Sequence, residues 1–395
     1  MKITFSGASV FSDLFDDASV ISRSDMSAEA VVSYDCFVDC SKYVIFPGLV
    51  DVHVHFREPG FSYKETIATG SAAAARGGYT AVCTMPNLSP VPDTLPHLKE
   101  QLDLIERDAV IKVLPFGSIT RDQKGLALAD LEALAPHVCG FSDDGRGVDS
   151  TPLMREAMER AKALGLIISA HCEDGTQIKD SPQAEWKQIE RDIKLADEVG
   201  VKYHVCHIST KESVDLIRDA KKSGVDITCE TAPHYLIFSE KDAPDDGRFR
   251  MNPPLRGERD RLALREGLCD GTVDMIATDH APHSAEEKSM GMKSLNGIVG
   301  LECAFPVLYT ELVKGGELTL EQLIRLMSVN PAARFGITRD GFCVYDLENE
   351  YVIDPASFAT KGRSTPFEGR RVFGRCMATV SRGRAAYLDP SLIKG

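Results

Sequence analysis

Three things are scarce in these 395 residues. No run approaches the roughly 18 consecutive apolar residues that a membrane span needs, so none is expected. Positive charge is short as well: 45 Lys and Arg stand against 59 Asp and Glu, a formal net charge of −14. A surface of that sign repels nucleic acid and anionic lipid, and neither is an expected partner. The short cationic run at residues 369–375 is too small to reverse the balance and reads as a solvated turn. Paired cysteine motifs are missing too. Eleven cysteines are scattered without a CxxC pair. An odd, dispersed set argues against a disulfide framework and for reduced thiols in a cytoplasmic protein, most of them small core hydrophobes. The first 16 residues are acidic, with no basic flank and apolar centre, so no secretory leader is expected.

What is present is a globular composition, 43% hydrophobic and 26% charged. The length suits one (β/α)8 barrel of about 250 residues with a smaller appendage. Residues 1–46 read as short strands and turns, with strands at 2–5, 28–32 and 43–45. At Phe46-Pro47-Gly48 the rhythm changes. Eight near-continuous apolar runs follow, at 49–55, 79–85, 111–116, 138–142, 166–171, 202–207, 225–229 and 273–278. Such runs are expected of parallel strands covered on both faces. Helical segments alternate with them at 65–76, 130–135, 151–164, 184–199, 211–222 and 259–268. The repeat predicts an α/β fold, a closed parallel TIM barrel over residues 47–340, in preference to a doubly wound open sheet. After residue 341 short strands return, at 342–346, 352–354 and 372–380. The two ends, 1–46 and 341–395, are therefore expected to meet as one small β-rich domain.

The clearest chemical signal is Asp51-Val52-His53-Val54-His55. Side chains along a strand alternate, so His53 and His55 project to the same side and can share a metal ion. An isolated HxH is more often two buried, hydrogen-bonded histidines. Here further ligand types close later strands: Asp143 and Asp144 the fourth, His171 the fifth, His207 the sixth and Asp279 the eighth. Strand ends of a barrel converge on one rim, and buried charges there are costly unless paired or metal-bound. Imidazole with carboxylate suits zinc. Six ligands exceed one tetrahedral ion, which points to two Zn2+ per chain with one carboxylate shared.

Three motifs, His53-Val54-His55-Phe56-Arg57-Glu58-Pro59-Gly60, Thr84-Met85-Pro86-Asn87 and Thr278-Asp279-His280-Ala281-Pro282-His283, together resemble the dihydroorotases, closest to their long form. The likeness runs from about residue 46 to 334, and the flanking ends are similar too. HxH alone marks only the wider amidohydrolase superfamily; the three motifs in combination are far more specific. The resemblance implies that His53, His55 and Asp279 hold one zinc and that His171 and His207 hold the other. Many relatives bridge the pair with a carboxylated lysine, but residues 141–145 read Phe-Ser-Asp-Asp-Gly, with no lysine. Asp144 is favoured as the bridge by its spacing to His171, with Asp143 the alternative. Arg57, Asn87 and His283 match the positions that hold the substrate carboxylate, for which a guanidinium fork is suited. Asn252 resembles the asparagine that contacts the ring, a turn asparagine before prolines being the other reading. Two departures stand out: the segment between His171 and His207 is short for the family, and position 88 is leucine where threonine is usual.

The implied reaction is the reversible hydrolysis of dihydroorotate to N-carbamoyl-L-aspartate in pyrimidine synthesis. Metal-activated hydroxide attacks the ring carbonyl, and Asp279 carries the proton to the leaving nitrogen. A hydantoinase- or allantoinase-like cyclic amide hydrolase is the nearest rival, and an inactive scaffold subunit a more distant one. Residues 145–150 read as a candidate lid, glycines serving as hinges. His97 and His137 read as surface residues, His204 as facing away from His207, and His234 and His280 as supports near the rim. The sequence leaves open whether the chain acts as a homodimer or with aspartate carbamoyltransferase, and whether manganese or cobalt could replace zinc.

Overall fold

Burial on both faces decides where the central strands lie. Leu49–Val54 and Tyr79–Thr84 are buried at every position. With Lys112–Pro115 they form a three-stranded parallel sheet. A second parallel sheet runs through Ile168–Ala170, Tyr203–Val205, Ile227–Thr231 and Met275–Ile276. Single bridges connect the two: Gly117 to Phe141 and Phe141 to Ile168 on one side, Val54 to His280 on the other. In the computed structural model residues 2–15, 21–22, 27–31 and 36–392 are described; Val32, expected to end a strand, lies outside them.

The expected fourth strand is short. Residues 139–142 bond to the neighbours on both sides, Cys139 N to Pro115 O at 3.0 Å and Phe141 N to Ile167 O at 3.0 Å, with Phe141 the bridging residue. Immediately after it, the Asp143 carboxylate accepts from the backbone N–H groups of Ile119 and Thr120 at 2.8 and 3.1 Å. These bonds fix the turn at which the ladder ends.

Helices cover the strands, and their starts are written in capping residues. Thr66 accepts from Thr69 N at 3.1 Å at the head of Ile67–Arg76. Ser150, Ser181 and Thr210 cap Thr151–Ala163, Pro182–Val199 and Lys211–Lys222 in the same way. The helix Leu95–Asp108, which carries His97, is not among the segments named above; its Leu98, Leu102 and Ile105 repeat at helical spacing and face the core. No helix among the described residues is long and apolar enough to cross a membrane.

The chain ends supply a nine-stranded sheet, built only from strands between residues 2 and 47 and between 341 and 388. Val44–Pro47 pairs antiparallel with Gly341–Asp346, setting Ile45 against Val344. Three buried aromatic rings then join this sheet to the rest. Phe46 stacks on Tyr345 at 5.0 Å, and Phe305, from the helix Ala304–Leu308, meets Tyr345 at 4.2 Å. The Tyr345 hydroxyl donates to Gly77 O at 2.7 Å, so the ring is oriented as well as buried. Phe305→Ala removes the ring that packs on Tyr345 from outside the sheet and is expected to cost about 3–5 kcal/mol. Chemical denaturation followed by circular dichroism checks this; an unchanged midpoint would contradict it.

Candidate metal centre

Six side chains from five strand ends meet at one mouth. His53 and His55 come from the first strand and its last turn, Asp144 from the turn after Phe141, and His171, His207 and Asp279 from the ends of three later strands. Two triangles of ligand atoms result: His53, His55 and Asp279 in one, and Asp144, His171 and His207 in the other. In the first, Asp279 Oδ1 lies 3.6 Å from His53 Nε2 and 3.1 Å from His55 Nε2. In the second, Asp144 Oδ1 lies 3.7 Å from His171 Nδ1 and 3.4 Å from His207 Nε2, with those two nitrogens 3.0 Å apart. Asp144 also reaches the first triangle, 3.3 Å from His53 Nε2 and 3.5 Å from His55 Nε2.

These separations suit donors round a cation. Bonds of about 2.0–2.1 Å in tetrahedral array put ligand atoms roughly 3.3–3.5 Å apart. Two of the atoms at the centre, His53 Nε2 and Asp144 Oδ1, are buried without a hydrogen-bond partner among the described residues. Buried polar atoms are normally satisfied, so a pair left unsatisfied within 3.3 Å of each other signals a missing third party. The donor set therefore fits a divalent metal pair.

The electrostatics agree. Burial works to raise the Asp144 carboxyl, but the His53, His207 and His55 rings outweigh it and hold it well below the usual range. Burial works to lower His53, but Asp144 and Glu230 hold it well above an ordinary histidine. Without metal, protons on His53 and His207 offset the carboxylates; a metal ion must displace them.

Asp143, the alternative bridge, faces elsewhere. Its oxygens take the two backbone N–H groups described above and the Thr120 hydroxyl. Burial, opposed by those bonds, pushes it up to about 6. It shapes the turn that presents Asp144.

The substrate candidates divide. Arg57, Asn87 and Asn252 line a cavity of about 150 Å³ over the ligands, with His55 and Asp279 in its wall. Arg57 does not pair with Glu58, whose carboxylate accepts from Ser62 Oγ and Ile67 N. Asn87 Nδ2 donates to Asp144 O at 2.6 Å, and Asn252 Nδ2 lies 3.5 Å from His171 Nε2. His283 is not in the lining. Its Nε2 is 2.8 Å from Asn296 O and 3.5 Å from Arg57, and its Nδ1 is 3.2 Å from Lys64 Nζ. Burial, with Arg57 and Lys64 beside it, pushes it down to about 4.

Two carboxylates were missed in sequence. Glu230 accepts at His53 Nδ1 (2.7 Å), at His204 Nε2 (3.1 Å) and from His207 N (3.3 Å), so it orients both histidine sites at once. His204 thus faces away from the mouth but belongs to the same network. Asp51 accepts from His53 N at 3.0 Å and Thr278 N at 3.1 Å, tying the first strand to the residue before Asp279. Asp51 stood inside the quoted motif; Glu230 gave no signal, because its partners are remote in sequence. Of the supporting histidines, His280 accepts from Gly300 N at 3.2 Å and His234 is buried in contact with Tyr235. His97, half-exposed, pairs with Asp93, and His137 is exposed. Three site residues, Arg57, His207 and Asp279, hold φ of 60°, 30° and 47°. Such backbone is costly for non-glycine residues and persists where the surroundings enforce it.

Comparison with known proteins places this geometry. The chain shares its fold with an L-hydantoinase (dihydropyrimidinase) of Arthrobacter aurescens, at a TM-score of 0.83 and 23% identity over 97% of this chain and 95% of that one. A D-hydantoinase of a Thermus species gives 0.82 and 22%, over 98% and 95%. Residues 42–185 match the family described as Dihydro-orotase-like. A protein of Fusobacterium nucleatum named Dihydroorotase is 46% identical over 379 residues, 89% of each chain. One of Listeria innocua with the same name is 49% identical over 377 residues, 88% of each. The chain belongs to the dihydroorotase family.

Two tests follow from the site. Asp144→Ala should lose most bound metal by elemental analysis, whereas Asp143→Asn should keep it per folded chain while losing about 1–3 kcal/mol of stability. The reverse pattern would move the bridge to Asp143. Glu230→Gln should weaken metal affinity about 10–100-fold in chelator competition. In the unsubstituted protein affinity should fall as pH is lowered, because protons reclaim the raised His53; affinity unchanged by pH would contradict this.

Proposed function

We propose that the chain is a metal-dependent dihydroorotase that interconverts dihydroorotate and N-carbamoyl-L-aspartate for pyrimidine synthesis. One observation carries the reading: a single carboxylate, Asp144, is common to both groups of imidazoles and stands in a cavity that also presents Arg57 and Asn87. The (β/α)8 architecture goes with it, supported by the bridges that link the two parallel sheets on both sides. So does a division into residues 47–340 and a small β domain from 1–46 and 341–395, supported by the sheet drawn from both ends.

In this reading His53, His55 and Asp279 would hold one Zn2+ and His171 and His207 the other, with Asp144 placed to serve both. Bound there, the pair supplies Lewis acidity toward the ring carbonyl and makes water acidic near neutral pH. The protein's own groups do the rest. Arg57 grips the substrate carboxylate as a fork, with Asn87 and His283 beside it. Asn252 donates from Nδ2 toward the ring. Asp279 takes the proton of the attacking water on its carboxylate and passes it to the ring nitrogen as the amide bond breaks. Burial works to raise that carboxyl, but the hydrogen bond from His55 and the neighbouring imidazoles hold it well below the usual range. That favours the carboxylate form, the one that can take a proton. In the biosynthetic direction the same groups run backwards and close the ring.

The shared fold makes hydantoin and allantoin the relevant competing substrates. Purified protein should open dihydroorotate at least about 100-fold better than either, and a chelator should abolish turnover. Asp279→Ala should lose at least about 100-fold in both directions while remaining folded. Preference for hydantoin, or turnover surviving both the chelator and the substitution, would overturn the reading.

A further inference from the structure

One group at the centre takes no part in the reaction above. Cys206 is buried at the end of the strand Tyr203–Val205, next to His207. Its Sγ, a His53 ring nitrogen and an Asp144 carboxylate oxygen all lie within 4.8 Å of one another. Donors of one tetrahedral ion stand about 3.3–3.8 Å apart when one of them is sulfur, so this third triangle closes with shifts on the order of 1 Å.

The backbone accounts for the placement. Cys206 N donates to Ala170 O at 3.0 Å, which fixes the residue against the neighbouring strand end. His207 then turns at φ 30°, carrying its imidazole toward Asp144. The Cys206 side chain packs with Val52, Cys83 and Met275 beneath the cluster. Ser169 Oγ lies 3.1 Å from the sulfur and can donate to it once the thiol proton is gone.

We propose that Cys206, His53 and Asp144 form a thiophilic position inside the metal centre, occupied by soft divalent cations such as cadmium. Thiolate ligands select soft ions, whereas imidazole and carboxylate alone serve borderline and hard ones. On binding, the S–H bond breaks, a metal–sulfur bond forms and the proton leaves to water; no electron is transferred. Two of the three donors belong to the other triangles. An ion held on sulfur therefore withdraws His53 from His55 and Asp279 and dismantles the first position. Cys206 makes the centre discriminate by softness: a soft ion binds, but in the wrong place.

The inference rests on the metal-binding reading, and the test separates the two. Metal-free full-length chain in a Cys269→Ser background, which removes an exposed thiol, is titrated with cadmium. Equilibrium dialysis gives stoichiometry, and thiolate-to-cadmium charge-transfer absorption with cadmium-edge X-ray absorption reports sulfur in the ligand shell. The expected result is about one sulfur ligand per chain, lost in Cys206→Ser and in Cys206→Ala, and retained in Cys172→Ser beside His171. Cadmium bound through nitrogen and oxygen only, or a sulfur signal that survives both Cys206 substitutions, overturns the thiophilic position and leaves the metal centre standing. No cadmium bound at all overturns both.

Discussion

A buried carboxylate surrounded by imidazoles is the constraint on which the rest of this structure depends. Asp144 contacts His53, His55, His171 and His207 at 3.3–3.7 Å. An ion so buried is tolerated only when opposite charge surrounds it, whether protons on the rings or metal ions between them. Both states require the four histidines to stay where they are. The strand order, the turns at the strand ends and the carboxylates behind the rings can all be understood as means of keeping them there.

That holding is done from behind. Glu230 joins the first histidine site to the second by binding the His53 ring and the His207 backbone. Asp51 binds the backbone of the first strand to the residue before Asp279. Left-handed backbone at His207 and Asp279 then turns each side chain toward the mouth. The cost of that backbone is met by the packed strands beneath, a common arrangement where geometry must be held before a ligand arrives.

Much of this was legible because it is periodic or local. The alternation in Asp51-Val52-His53-Val54-His55 placed two ring nitrogens on one side, and Lys211–Lys222 appears as expected, with its Thr210 cap just ahead. Other parts were not legible, for physical reasons. Residues 138–142 read as a strand by hydrophobicity and do pair on both sides, but the early end of that ladder, where Asp143 binds the backbone of Ile119 and Thr120, was not visible. Spacing to His171 favours Asp144 over Asp143, and the turn that holds Asp143 on the backbone sets Asp144 among the histidines. Glu230 lies 177 residues from His53, so nothing local betrays their contact.

The central claim is that one side chain is shared by two cations. Manganese substitution with electron paramagnetic resonance addresses it directly, because ions about 3.5–4 Å apart across a shared carboxylate are magnetically coupled. The account predicts a coupled two-manganese spectrum at two equivalents per chain. Only the spectrum of isolated manganese at full loading would contradict it.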